Sequence, residues 1–469
     1  MMKTKIGKYL YNEFYFKYSF IVLTLLYCIP IFMPTIDNII NIFFLWMAFI
    51  VINDLYTTQS IFKFKGSPFA YMFLGVFICT IIAWSFEIID IKVFIYMYMQ
   101  LCFFVSVNQK KGLEEIEREF KKLSTGIVYL GTILCMISLA LYFIGYCEVY
   151  HNNVMSMELL VGRHPNSSLY GVLGNSNWMS FLCITIIGLS YWLQSFEVKK
   201  RYYASSVIAL ITLYLTNSRG GFVGVIVLCS VVYIIKFCVI LIKKKCFSIK
   251  AFLLIPLCVI VLIGANSITK NISGRLYNCI KSVETVKSSN EKSTEISKSI
   301  ERSEEEQQGS TNIRLELLKA GAKVVEKNYL VGVGVAHLKE KIYDEIPENS
   351  LVNMELAGNT HNVYMQTAVA SGAIGIILFV SFIAYIMLYS IVVVLKKYSN
   401  INNSLSILIA LIFAYLVVNL VEADIFISRN FMSSLFWIIL GYLARMSQLL
   451  GRVNKTRKEE IEGELAALK

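Results

Sequence analysis

Apolar runs of roughly 16–30 residues recur along almost the whole chain, and nothing else in the sequence restricts the fold as tightly. About 20 such residues make one helical membrane span. Hydrocarbon offers no partner to a backbone N–H or C=O, so an uninterrupted run closes its own hydrogen bonds as a helix. The runs lie near 18–36, 38–53, 67–86, 91–107, 126–146, 175–195, 203–218, 220–242, 251–268, 363–395, 404–421 and 430–447. They predict an all-α polytopic transmembrane helix bundle of about 12 spans, with one large outer loop. Composition agrees: 56% of the 469 residues are hydrophobic and 16% are charged, against about 25% charged in soluble domains. A chain of this length with so few charges cannot cover a water-facing surface. That excludes a cytosolic enzyme, a disordered protein and a secreted disulfide scaffold.

Charge then orients the bundle. Of the 44 Lys and Arg, 27 fall in the alternate connections 1–17, 54–66, 108–123, 196–202, 236–250, 396–403 and 445–469. The short connections of the opposite set hold four: Lys92, Arg163, Arg219 and Arg429. Positive-inside sorting therefore places both termini of a multi-pass membrane protein in the cytoplasm. The expected organisation is spans 1–9 over 1–268, a large extracytoplasmic loop over 269–360, spans 10–12 over 361–447 and a cytoplasmic tail over 448–469. The net charge of +12 is thus mostly a topology signal, and no nucleic-acid motif accompanies it. The first run lacks a small-residue cleavage site and reads as an anchor. Eleven cysteines without any CxxC suggest neither a metal site nor a disulfide framework.

The long loop has three parts. Residues 281–310 carry almost no large apolar side chains and read as a solvated helix or mobile insert. Residues 311–327 read as an amphipathic helix with Thr311 or Asn312 as N-cap. Residues 328–360 read as mostly irregular. At 100° per residue, Leu317, Leu318, Gly321 and Val325 share one arc of that helix. Arg314 falls near the middle of the same arc, where a guanidinium either snorkels from the first turn or reaches into a cavity to hold an anion by its planar fork.

His361, in NTHNVYMQ, sits where the loop returns to the membrane. With Thr360 as N-cap it falls in the first turn of a span, where the positive helix end disfavours imidazolium. A neutral imidazole there either caps the helix or accepts a proton. Arg219, in NSRGG, occupies a tight outer turn in which Gly220 and Gly221 allow close backbone approach to a ligand. Arg163 precedes a span on the same side. A single loop Arg is ordinarily solvated or bound to lipid headgroups, but three Arg and a His converging on one face suit a diphosphate. No Asp-x-Asp occurs, and Glu422 with Asp424 form the only close outer acidic pair near a membrane end. No Mg²⁺ or Mn²⁺ site, and no metal or other cofactor, is expected. The GVGV at 332–335 lacks the strand–helix context of a nucleotide loop, and no Walker A occurs.

The series NSRGG, R-x-x-L-L (314–318), NYLVGVGVAHL (328–338) and THNVYMQTAVASGAIG (360–375) resembles the O-antigen ligase and polysaccharide polymerase family of bacterial membrane glycosyltransferases. Arg163 and Gly174 also fit the Arg-x10-Gly pattern of O-antigen polymerases. The resemblance covers roughly 160–395; the chain departs from it in the polar insert 281–310 and in lacking an aromatic after the loop Arg. It implies transfer from an undecaprenyl-diphosphate-linked glycan at the outer face, without metal or nucleotide-sugar. It further implies Arg219 and Arg314 as diphosphate-binding arginines and His361 as the essential histidine; Arg163, Asn362, Gly220 and Gly221 are the expected substrate contacts. Membrane lipid, a lipid-glycan flippase and a chain-length regulator are the expected partners. The reading is a polymerase of lipid-linked repeat units. The alternatives are a ligase that passes the glycan to a lipid or protein acceptor, and a transporter or flippase of lipid-linked glycans.

Overall fold

Each apolar run closes its own backbone hydrogen bonds, and the computed structural model of the chain is accordingly 77% helical. It describes residues 9–84, 86–152, 157–164, 168–245, 248–285, 304–350, 352–396 and 400–467. The first helices are α1 (Glu13–Tyr27), α2 (Met33–Thr57), α3 (Ser67–Ala83), α4 (Ile88–Tyr98, continued by a π-helical stretch Met99–Phe104) and α5 (Leu113–Ile144). Then come α6 (Ser176–Gln194), α7 (Lys200–Leu215), α8 (Arg219–Lys244), α9 (Ile249–Thr285) and α10 (Glu304–Lys327). The last are α11 (Leu338–Tyr343), α12 (Val363–Lys396), α13 (Asn400–Val418) and α14 (Phe431–Ala467). Among the described residues seven helices are long and apolar enough to cross a membrane: α2, α5, α6, α8, α9, α12 and α14. Residues 67–83 and 404–418 form shorter apolar helices.

Several boundaries differ from the sequence reading. The first run, 18–36, does not form one helix: α1 ends at Tyr27 and α2 begins at Met33. Proline decides this, since Pro34 sits in the first turn of α2, where its missing N–H costs nothing. Helix α9 continues past 268 to Thr285, and α14 runs well into the expected tail. Helix α10 starts at Glu304, so neither Thr311 nor Asn312 caps it; the Glu and Gln residues upstream are good helix formers. Most of the polar insert, 286–303, lies outside the described residues. The molecule is also not purely helical. Between α5 and α6 a three-stranded antiparallel sheet forms from β1 (Cys147–Asn152), β2 (Met157–Arg163) and β3 (Leu169–Gly171), in that order. Neither CEVYHN nor MELLVGR alternates apolar and polar residues, so no strand signal stands in the sequence, and the register shifts between Gly162 and Arg163.

The core is wound around α14 and α6, whose apolar windows are 89% and 83% buried, whereas that of α9 is only 6% buried and faces outward. At one end of the bundle, charged side chains tie the chain together. Lys17 is buried and donates to Ser106 O at 2.6 Å. Arg445 is buried and donates to Gln109 O at 2.7 Å and Lys111 O at 3.0 Å.

The glycines of GVGV and ASGAIG prove to be two halves of one joint. Helix α12 is interrupted at Gly372, with φ 65° and ψ −169°. The 329–334 segment inserts there and takes up the backbone groups that the break frees. Val333 N donates to Val369 O and Gly334 N to Ala370 O; Ala373 N donates to Tyr329 O and Ile374 N to Leu330 O. Thr80 and Trp84 brace the segment from α3 through Val331 O and Gly332 O. A Cβ on Gly372 would stand 2.3 Å from Leu330 O, and one on Gly332 would stand 2.5 Å from Val369 O. Both residues also have positive φ, which costs a side chain about 1–2 kcal/mol before any clash. Gly332→Ala and Gly372→Ala are each expected to reduce severalfold the yield of monodisperse protein extracted from membranes, measured by fluorescence-detected size exclusion. Gly264→Ala, with nothing within 4 Å, should be neutral.

Candidate functional site

Three helices begin at one place, opposite the end held by Lys17 and Arg445. Helix α6 is capped by Asn175, whose Oδ1 accepts from Asn177 N and Trp178 N. Helix α8 is capped by Ser218, whose Oγ accepts from Gly221 N. Helix α12 is capped by Asn362, whose Oδ1 accepts from Met365 N at 2.9 Å. Each start carries a partial positive charge from its aligned peptide dipoles. Between them sits the 419–430 connection that joins α13 to α14, with Glu422 at its centre.

Glu422 is the residue on which the site converges. Its Oε1 accepts from Asn177 Nδ2 at 2.6 Å and from Arg314 Nη2 at 3.0 Å. Its Oε2 lies 3.5 Å from His361 Nδ1. Asn177 in turn accepts from Ser218 Oγ at 2.9 Å, so the cap of α8 is joined to the same carboxylate. The backbone seals the arrangement: Val363 N donates to both Asn419 O and Glu422 O. Glu422 is nearly buried, with a side chain 10% exposed, against 35% for Arg314 and 27% for His361. One carboxylate thus serves two cationic or potentially cationic groups, each with a side open to water.

The expected site residues divide accordingly. Arg314 and His361 meet through Glu422. On α10, Leu317, Ala320, Gly321 and Val324 are buried, Leu318 and Val325 are half-buried and Ala322 and Lys319 are exposed, so the buried face is turned away from the expected arc and Arg314 stands at its edge rather than its middle. His361, however, is not in the first helical turn. It precedes the N-cap Asn362 and has φ 50°. Asn362 wins over Thr360 because its carbonyl reaches the third free N–H of the helix, while Thr360 Oγ1 turns to Asn362 O. Asn362 is therefore a structural cap that also holds Leu420 O through Nδ2 at 2.8 Å. Arg219 is the first residue of α8, exposed beside Ser218. Gly220 faces Val421, one residue from Glu422. Gly221 is not open to a ligand: a Cβ there would meet Ser180 at 2.4 Å, so this glycine lets α6 and α8 touch. Arg163 is buried, its guanidinium 5.0 Å above the Tyr142 ring, and it is not in contact with Glu422.

Glu422 is the residue that the sequence reading undervalued. Its partners Arg314 and His361 lie 108 and 61 positions away, and only its pairing with Asp424 had been visible. That pairing is real but lopsided. Burial and the neighbouring charge of Glu422 push the Asp424 carboxyl well above the usual carboxylate range, against hydrogen bonds from Trp178 and Asn430. Asn430 Nδ2 donates to Asp424 at 2.9 Å. Among the described residues no group of three or more His, Cys, Asp or Glu is placed to hold a metal ion.

Backbone strain gathers here too. Among the described residues five non-glycine residues have positive φ. Three of them, Asn217, His361 and Ile427, flank this cluster, and such conformations persist only where the surroundings impose them.

The stacked apolar helices, seven of them among the described residues long and apolar enough to cross a membrane, are those of a multi-pass membrane protein. Residues 204–380 match the family model of the O-antigen ligases, so that stretch of the chain is similar to this family. Members of this family are membrane glycosyltransferase-like enzymes acting with lipid-linked glycans and membrane lipids. The matched stretch contains Arg219, Arg314, His361 and the Gly332–Gly372 joint; Glu422 lies beyond it. No curated protein gives a significant match to the chain.

Proposed function

We propose that this protein polymerises undecaprenyl-diphosphate-linked oligosaccharide repeat units into a surface polysaccharide at the outer face of a bacterial cytoplasmic membrane. The observation that carries the reading is the sharing of Glu422 by Arg314 and His361 at the meeting point of three helix N-termini. The apolar helices then cross the bilayer, α10 lies in the outer loop, and both chain ends are cytoplasmic. The diphosphate sits against Arg314, Arg219 and the positive helix ends, which suit an anion. His361 Nδ1–H faces Glu422, leaving Nε2 to take the proton of the acceptor hydroxyl. That oxygen attacks the anomeric carbon as the bond to the departing diphosphate breaks, with inversion. The charge that develops on the leaving group is held by the two arginines. A flippase and a chain-length regulator complete the expected partners.

Transfer to a different lipid or protein acceptor is the second reading, since the same donor site serves both. A carrier is less well supported. Broken helices are a carrier feature, but the break at Gly372 is filled by protein backbone on both sides and leaves no open helix end for a solute. Purified protein given lipid-diphosphate-linked repeat units should yield ladders of increasing length. Transfer of a single unit to another acceptor would favour the ligase reading, and movement without growth the carrier. Activity is expected to survive EDTA, because the oxygens of Glu422 are already taken by Asn177, Arg314 and His361. Loss on chelation with recovery on adding Mg²⁺ or Mn²⁺ would overturn metal independence.

A further inference from the structure

Beneath the polar cluster, on the side of α12 that faces α13, lies an apolar groove of about 230 Å³. Its α12 wall is Val380, Ile383, Ala384, Met387, Leu388 and Ile391, spaced as one helical stripe, and Phe413 and Leu416 form the α13 wall. Ile383 and Met387 make a buried floor at 4% and 3% exposure, while Val380 and Leu388 form a rim at 43% and 62%. Tyr364 lines the same groove. It stands three residues past His361, and its hydroxyl donates to Leu416 O at 3.1 Å. Three residues beyond Leu416, Asn419 O accepts from Val363 N. Groove and Glu422 cluster therefore share the start of α12 and the end of α13.

We propose that this groove holds the hydrocarbon chain of the donor, with the first segment of the chain passing Tyr364 and the anionic head rising to Arg314 and His361. The inference rests on the donor reading given above and deepens it by assigning the tail a place. Its physical basis is continuity. A ligand with an anionic head and a long apolar tail needs a cationic mouth directly joined to an apolar trough, and no polar side chain other than the Tyr364 hydroxyl, already bonded to Leu416, lines this one. A seated chain gains by covering the exposed Val380 and Leu388 rim and the half-buried Phe413 face, and it fixes the height of the head against His361. An ordinary phospholipid chain is the competing occupant.

The test fills the groove. Ala384→Trp and Met387→Trp are made in the full chain, with Ile377→Trp, a lipid-facing residue of α12 outside the groove at 63% exposure, as control. Each is assayed with two donors carrying the same glycan diphosphate, one with a full-length polyprenyl chain and one with a single isoprene unit of about 5 carbons, too short to fill the trough. The groove-filling variants should lose about tenfold or more in kcat/KM with the long-chain donor, mainly through KM, and match the parent with the short one. Equal loss on both donors, or no loss on either, would overturn the proposal. A long-chain donor bearing a diazirine on its first isoprene units should label 380–391, and excess donor should compete it away better than excess phosphatidylglycerol. Equal competition would make this an ordinary lipid site. If no lipid-diphosphate glycan is used at all, the donor reading fails instead, and absent labelling of 380–391 by the same probe then overturns the tail site as well.

Discussion

Replacing His361 by alanine is expected to lower the rate of glycan transfer by about 10²–10⁴-fold, the usual contribution of a positioned general base, without loss of protein from the membrane. The geometry asks for a base at this point. Nδ1 is occupied by Glu422 at 3.5 Å, a contact at the long end of the hydrogen-bonding range that can tighten once substrate is bound. A carboxylate on one ring nitrogen fixes the tautomer and leaves the other as acceptor. Glu422→Gln should then act through His361 and fall by a smaller factor, since the amide still meets Asn177 and retains the shape. A purely structural histidine predicts otherwise, and the backbone separates the two cases. His361 has φ 50°, held there by Asn359 Oδ1 on its N–H at 2.8 Å and by Thr360 and Gln366 around it. Glycine tolerates that conformation better than alanine. His361→Gly should therefore match or exceed His361→Ala in thermal stability while being equally inactive. Recovery of transfer in His361→Gly would show that the site needs the backbone bend and not the imidazole.

How much of this was legible beforehand depends on what kind of force fixes each feature. Apolar runs were readable because hydrocarbon leaves the backbone no alternative to internal hydrogen bonding; the place where α1 yields to α2 was not, because Pro34 and not run length sets it. Arg314 was found by helical arithmetic, but the buried face of that helix is turned toward Ala320 and Val324 and leaves Arg314 at its edge, because packing against neighbouring elements sets the rotation of a helix and its own apolar stripe does so only approximately. His361 was found by position but assigned the wrong local structure, since Thr360 and Asn362 are both chemically able to cap and only the folded geometry chooses. The Gly332–Gly372 joint looked like an idle Gly pair because its reason lies 40 positions away, in the backbone atoms of a broken helix. Glu422 and the α12–α13 groove are purely tertiary. Each is made by elements that neither periodicity nor spacing relates, and a carboxylate in a connection of a polar cast gives no sign of which distant cations it will meet.

Arg314→Lys should be nearly as damaging as Arg314→Ala, with both about 10²-fold below the parent, while Lys319→Ala on the exposed face of the same helix is close to neutral. The estimate follows from two contacts to a diphosphate at roughly 1.5–3 kcal/mol each, reduced by what water offers in exchange. The contact seen in the structure sharpens the case. One guanidinium nitrogen already holds Glu422 at 3.0 Å, so only a side chain with several fixed donors can keep that carboxylate and still offer N–H groups to a ligand. An ammonium group is a single point of charge and must serve one or the other. The rival account is that Arg314 does no more than neutralise a nearly buried carboxylate, whose unpaired charge would be costly. A double-mutant cycle distinguishes the two. If neutralisation is the whole role, Arg314→Ala should cost little in a Glu422→Gln background, because no charge remains to be balanced. If Arg314 grips the leaving diphosphate, most of its effect should persist in that background and appear in kcat, where the charge on the leaving group develops.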